Sequence, residues 1–131
     1  MLKIMSVVIK NFQPKEFCCK CGCGSCDVSQ KLKETLQIIR TAWGKPIIIT
    51  SARRCKKHNA NVGGVYNSQH LLGTASDITT SGSIVVFYDF IVQLYKEGKI
   101  PYLGYIQLYE DKKFIHLDVR TPKSNTVKAF G

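Results

Sequence analysis

Ser68-Gln69-His70-Leu71-Leu72-Gly73-Thr74-Ala75-Ser76-Asp77, read together with His116-Leu117-Asp118, is the part of the chain that carries chemistry. Two neutral imidazoles and one carboxylate form a three-ligand set for a catalytic zinc ion, with a fourth position left for water. His70 and Asp77 are seven positions apart. On a straight helix that separation is ~10.5 Å, too far to share one ion. Gly73 gives the chain a place to turn. If His70 ends a loop and Asp77 begins a strand, their side chains converge, and His116 joins them from a second strand.

Working outward, residues 103–109 and 114–120 are two alternating runs joined by the polar Glu110-Asp111-Lys112-Lys113 and read as a β-hairpin. In the second run Ile115, Leu117 and Val119 share one face, while Phe114, His116, Asp118 and Arg120 share the other. The aliphatic face belongs to the core, so the His/Asp face is presented to whatever binds opposite. Upstream, Leu32, Leu36, Ile39 and Trp43 recur at helical spacing and predict an amphipathic helix over 29–43. Asp27 or Ser29 caps its start, Gly44 closes it, and Pro46 follows. Ile47-Ile48-Ile49 fits a strand buried on both faces. Residues 14–17 suit a short helical turn, residues 51–76 read as irregular, and residues 83–97 read as a second helix closed by Gly98. His58 has no motif partner and reads as a loop residue.

The 131 residues suit one domain, 1–131, with a single core. No apolar run approaches the ~18 residues of a membrane span. The apolar opening Met1–Lys10 is short for a signal peptide and lacks a small-residue cleavage site, so it reads as mature sequence. Lysine and arginine number 19 against nine acids, a formal charge of +10. A surface of that sign meets anions, whether nucleic acid, acidic lipid or cell-wall polymer. The densest run, Arg53-Arg54-Cys55-Lys56-Lys57, reads by itself as solvated surface. A nucleic-acid partner is not expected, because it leaves the His/Asp pattern without a role.

The pattern Ser68-x-His70-x-x-Gly73-x-Ala75-x-Asp77, followed by His116-Leu117-Asp118, resembles the signature of the zinc D-Ala-D-Ala carboxypeptidase and L-alanyl-D-glutamate endopeptidase family. These are the LAS-type peptidoglycan peptidases, whose fold is shared with the hedgehog signalling domain. Thr50-Ser51-Ala52-Arg53-Arg54-Cys55, with Asn59 and Val62-Gly63-Gly64, is similar to the arginine-bearing loop of the small phage-type branch. The resemblance runs from about Asn11 to Arg120 and implies an α+β fold, a small antiparallel sheet with helices packed on it. By similarity His70, Asp77 and His116 hold one catalytic zinc. Arg54 steadies the substrate carbonyl or its oxyanion, with Arg53 one position away. Ser68 contacts substrate, or else stabilises its own turn.

Better-known members carry an acid three residues before the last zinc histidine, where this chain has Lys113. Asp118, ~6.6 Å beyond His116 on the same strand face, is either the general base or a residue that orients His116 and pairs with Arg120. Glu110 and Asp111 are more distant alternatives. The implied activity is a zinc metallopeptidase of carboxypeptidase or endopeptidase type, acting on peptidoglycan stem peptides and drawn to anionic wall polymers. The expected protein is a monomer made in the cytoplasm and acting at the wall, as a phage lysin or virion component. A hedgehog-like zinc module without hydrolysis, used in wall binding or virion assembly, is the alternative that Lys113 motivates.

Cys18, Cys19, Cys21, Cys23 and Cys26 crowd nine residues, with Cys55 apart from them. Cys23-x-x-Cys26 has metal-site spacing, but the missing second pair of that kind weighs against a second zinc. A disulfide between a cluster member and Cys55, or plain reduced thiols, also fits. In every case the cluster reads as structural.

Overall fold

A computed structural model describes residues 7–121. The first six residues of the Met1–Lys10 opening therefore lie outside the described residues. The order of elements is a 3-10 turn Pro14–Phe17, α1 Gln30–Trp43, β1 Ile47–Ser51, α2 Lys56–Asn61, a 3-10 turn Gln69–Leu72, β2 Ala75–Thr80, α3 Ile84–Lys96, β3 Tyr105–Tyr109 and β4 Phe114–Asp118. The four strands form one antiparallel sheet in the order β1-β2-β4-β3. The architecture is α+β, as the resemblance implied.

The two long helices, α1 and α3, form for reasons visible in their sequences. Ser29 accepts a hydrogen bond from Lys31 N and caps α1, and the Gly44 N–H bonds back to Arg40 O at the other end. Ser83 caps α3 in the same way through Val86 N. Leu32, Leu36 and Ile39 of α1 and Ile84, Phe87, Ile91 and Leu94 of α3 join Ile49, Ile78, Ile106, Ile115 and Leu117 of the sheet in one core. Trp43 packs its ring 4.8 Å from Phe87 and anchors its indole N–H on Thr80 Oγ1 at 3.1 Å. Each fully buried large side chain of this kind is worth roughly 1.5–3 kcal/mol.

α1 and α3 thus take one face of the sheet, and the pleat sends alternate residues to the other. The pairings Ser51↔Asp77, Asp77↔His116 and His116↔Gln107 put those four residues in one row across all four strands. The next row is Ala75, Asp118 and Tyr105. The hairpin therefore divides its residues between core and polar face as the alternation predicts.

Three expectations need correction. β1 is an edge strand, not one buried on both faces: Ile47 and Ile49 are buried, while Ile48 is 58% exposed. Residues 51–76 are not wholly irregular, since they contain α2, the Gln69–Leu72 turn and the start of β2. His58 consequently lies in α2 and not in a loop.

Candidate metal centre

The chain from His70 to Asp77 folds as the convergence argument requires. The 3-10 turn ends at Gly73, which takes the left-handed conformation at φ 72°. A side chain there would meet Asp27 O at 2.3 Å, so this glycine allows both the turn and a close backbone approach. The strand that follows places Asp77 beside His116 on β4. His70 and Asp77 are buried and His116 is half-buried. Their ligand atoms all lie within 4.8 Å of one another.

The hydrogen bonds fix which nitrogen of each ring faces inward. His70 Nδ1 is 2.6 Å from the Ala52 carbonyl, which can only accept, so Nδ1 carries the proton. His116 Nε2 is 2.9 Å from Asp118 Oδ2, a carboxylate that likewise accepts. In the neutral rings that bind a metal, the inner nitrogens, His70 Nε2 and His116 Nδ1, are then unprotonated. They sit 3.2 Å and 3.0 Å from the same oxygen, Asp77 Oδ1. Three lone-pair donors facing each other at such distances repel unless a cation lies among them. With zinc bonds of about 2.0–2.2 Å, adjacent ligand atoms belong a little over ~3 Å apart, so the residues fit the ion.

A match to the peptidase M15 family covers residues 10–118. The chain belongs to the peptidase M15 family. Comparison with curated proteins gave no match. Membership supports a zinc metallopeptidase, and His70, Asp77 and His116 are residues that could hold the ion.

In this M15 chain Arg54, and not Arg53, turns toward the triad. Arg54 Nη2 donates to Asp77 Oδ2 at 3.2 Å, Nε to Ser51 Oγ at 3.1 Å and Nη1 to Asn59 Oδ1 at 3.0 Å. A β-bulge between Ile49 and Ser51 lets Ser51 pair with Asp77 and face Arg54. Arg53 points away, to Asp27 O at 3.5 Å. Burial works against ionisation of Asp77, but in the metal-free site a proton on the inner nitrogen of His116 or His70 bonds to it and pairs with its charge, which holds the carboxyl well below the usual range; a bound cation takes the place of that proton.

Asp118 is fully buried and lies off the outer edge of the His116 ring, away from Asp77. Its oxygens also accept from Arg120, Nη2 to Oδ2 at 2.7 Å and Nε to Oδ1 at 2.8 Å. Burial raises its pKa, yet His116 and Arg120 draw it below the ordinary value. Ser68 caps the Gln69–Leu72 turn, its Oγ accepting from His70 N at 3.1 Å. Lys113 sits in the hairpin turn at φ 58°, exposed, with its carbonyl accepting from Thr79 Oγ1 at 2.7 Å.

Two adjoining hollows open over the triad. One of about 280 Å³ is bordered by Arg54, Ser68, His70, Asp77, Tyr109 and His116. The other, of about 290 Å³, shares Ser68, Tyr109 and His116 and adds Tyr105, Gln107 and Arg120. Sequence reasoning missed Tyr105, Gln107 and Tyr109. Their signal was the alternation of β3, which puts them on the same sheet face as His116.

The cysteines depart from expectation. A disulfide joins Cys18 to Cys26, which takes Cys26 out of the Cys23-x-x-Cys26 metal spacing, and Cys55 is in no disulfide. Among the described residues no helix is long and apolar enough to cross a membrane.

Proposed function

We propose that the protein hydrolyses an amide bond in peptidoglycan stem peptides, in cell-wall lysis or remodelling. The observation that supports this most is the pair of imidazoles, each pinned at its outer nitrogen, that aim their inner nitrogens at one buried carboxylate oxygen under an open trough. When bound, zinc supplies Lewis acidity that activates water and polarises a peptide carbonyl. His70, Asp77 and His116 hold it. Arg54 braces Asp77 and places its positive charge at the rim, where negative charge grows on the substrate oxygen. Ser68 borders both hollows and contacts the stem peptide. Asp118 keeps His116 in the tautomer that ligates, a positioning role and not that of a base. The charge of +10 draws the protein to anionic wall polymers. Synthesis in the cytoplasm and action at the wall, as in a phage lysin, accord with that charge.

One observation favours a second reading. Apart from Asp77, the residues bordering the two hollows include no carboxylate to take a proton from water. A zinc-holding module that binds wall or virion without hydrolysis follows from that. Mass spectrometry of a defined muropeptide after incubation separates the two. Hydrolysis yields new amino and carboxyl termini, identifies the bond, and stops with a chelator or with His70→Ala. Retention on sacculi with no new termini establishes the binding module instead.

A further inference from the structure

We propose that Cys19, Cys21, Cys23 and Cys55 form a second metal site, a tetrathiolate zinc centre that fastens the cysteine-rich segment to the loop bearing Arg54. The four sulfurs converge within 4.8 Å of one another. Cys19 and Cys21 are 3.4 Å apart, Cys21 and Cys55 3.7 Å, and Cys19 and Cys55 3.9 Å. At a zinc–sulfur bond of ~2.3 Å, a tetrahedron of thiolates has edges of about 3.8 Å. The observed spacings are therefore those of ligands around one ion, and all are too long for a covalent bond between sulfurs.

The local fold supports the same reading. The ligands come as three alternate residues from one loop and a fourth 32 positions beyond Cys23. Gly22 and Gly24 take positive φ, at 81° and 89°, and curl the loop so that the alternate sulfurs face one point. The loop is closed by Cys19 N to Ser25 O at 2.7 Å, and Cys18 and Cys26 are joined at its base. Two backbone N–H groups aim at sulfur, Cys55 N to Cys19 Sγ at 3.5 Å and His58 N to Cys55 Sγ at 3.4 Å. Such donors stabilise thiolate charge and fix ligand orientation. Binding zinc releases the four thiol protons to solvent and leaves a centre of charge −2, flanked along the chain by Lys20, Arg54 and Lys56. This site shares no ligand with His70, Asp77 and His116.

A spacing argument from sequence that seeks two Cys-x-x-Cys pairs passes over this arrangement. Folding supplies a Cys-x-Cys-x-Cys loop and a distant partner. Cys55 directly follows Arg54 and caps α2, so a metal at this point fixes where the guanidinium begins.

The test uses the full chain loaded with zinc, and with cobalt in its place. Wild-type protein is expected to hold two zinc ions per chain, and the double variant His70→Ala/His116→Ala to keep one. With cobalt that double variant shows the intense near-ultraviolet sulfur-to-metal charge-transfer band of a thiolate site. In the otherwise wild-type chain, Cys23→Ser weakens that band and leaves the histidine-held ion in place. A double variant that holds no zinc, or whose cobalt form lacks the band, overturns the proposal. So does a second disulfide found among these four residues in the zinc-loaded protein. None of these readouts depends on hydrolysis.

Discussion

Asp118 Oδ2 lies 2.9 Å from His116 Nε2 and, on its other side, 2.7 Å from Arg120 Nη2. The carboxylate thus links a metal-facing imidazole to a guanidinium that rests over the Tyr105 ring, 4.6 Å from its centroid. Asp118→Asn keeps the shape but no longer demands a proton on Nε2. Zinc affinity at the histidine site is expected to fall about 10–100-fold, with the fold retained. Competition against a chromophoric chelator measures this, and unchanged affinity would argue against the positioning role.

Arg54 meets three partners with three different nitrogens. Lysine brings a single ammonium and cannot repeat that fork. Arg54→Lys is expected to lower kcat by about 10²-fold or more, with a smaller change in KM. Steady-state kinetics on the muropeptide decide it, and a change confined to KM would place Arg54 in substrate binding alone.

A Cβ at Gly64 would fall 2.1 Å from Asn59 Oδ1 and 2.9 Å from Arg54 Nη1. Gly64→Ala must therefore push Asn59 off Arg54, and its stability cost is expected to be about 1–3 kcal/mol, with lost activity. Gly63→Ala is the control: open space surrounds that position, and its φ of 76° costs roughly 1 kcal/mol. Thermal melts of both variants beside kinetics test the pair. A catalytic loss no greater in Gly64→Ala than in Gly63→Ala refutes the coupling.

Metal removal leaves His70 Nε2, His116 Nδ1 and Asp77 Oδ1 facing one another with nothing between them. A ligand that binds only the folded state at a thousand times its Kd adds about 4 kcal/mol. Chelation is expected to lower Tm by roughly 15 °C, and added zinc to restore it. In His70→Ala the response should shrink, and an undiminished response would mean that the stabilising ion lies elsewhere.

Much of this was legible in advance, and the exceptions have physical causes. α1 shows its apolar stripe and both caps in sequence, so its bounds follow closely. Ile47-Ile48-Ile49 misled because side-chain type does not tell an edge strand from a central one. α2, Lys-Lys-His-Asn-Ala-Asn, has no apolar stripe to read. It is held by the Cys55 cap and by Asn59 bonding Arg54 and the Val65 carbonyl. The triad was visible because its residue types are rare in combination. The Ala52 carbonyl that orients His70 was not, because a backbone acceptor leaves no mark in residue identity.

The row Ser51, Asp77, His116 and Gln107 ties enzymology to hairpin arithmetic. Shifting β4 by one residue exchanges its two faces and drives His116 into the oily interior. The bend formed by Glu110-Asp111-Lys112-Lys113 therefore matters to the site through its length. A single codon inserted there, in what looks like the most dispensable part of the gene product, removes a ligand without touching one.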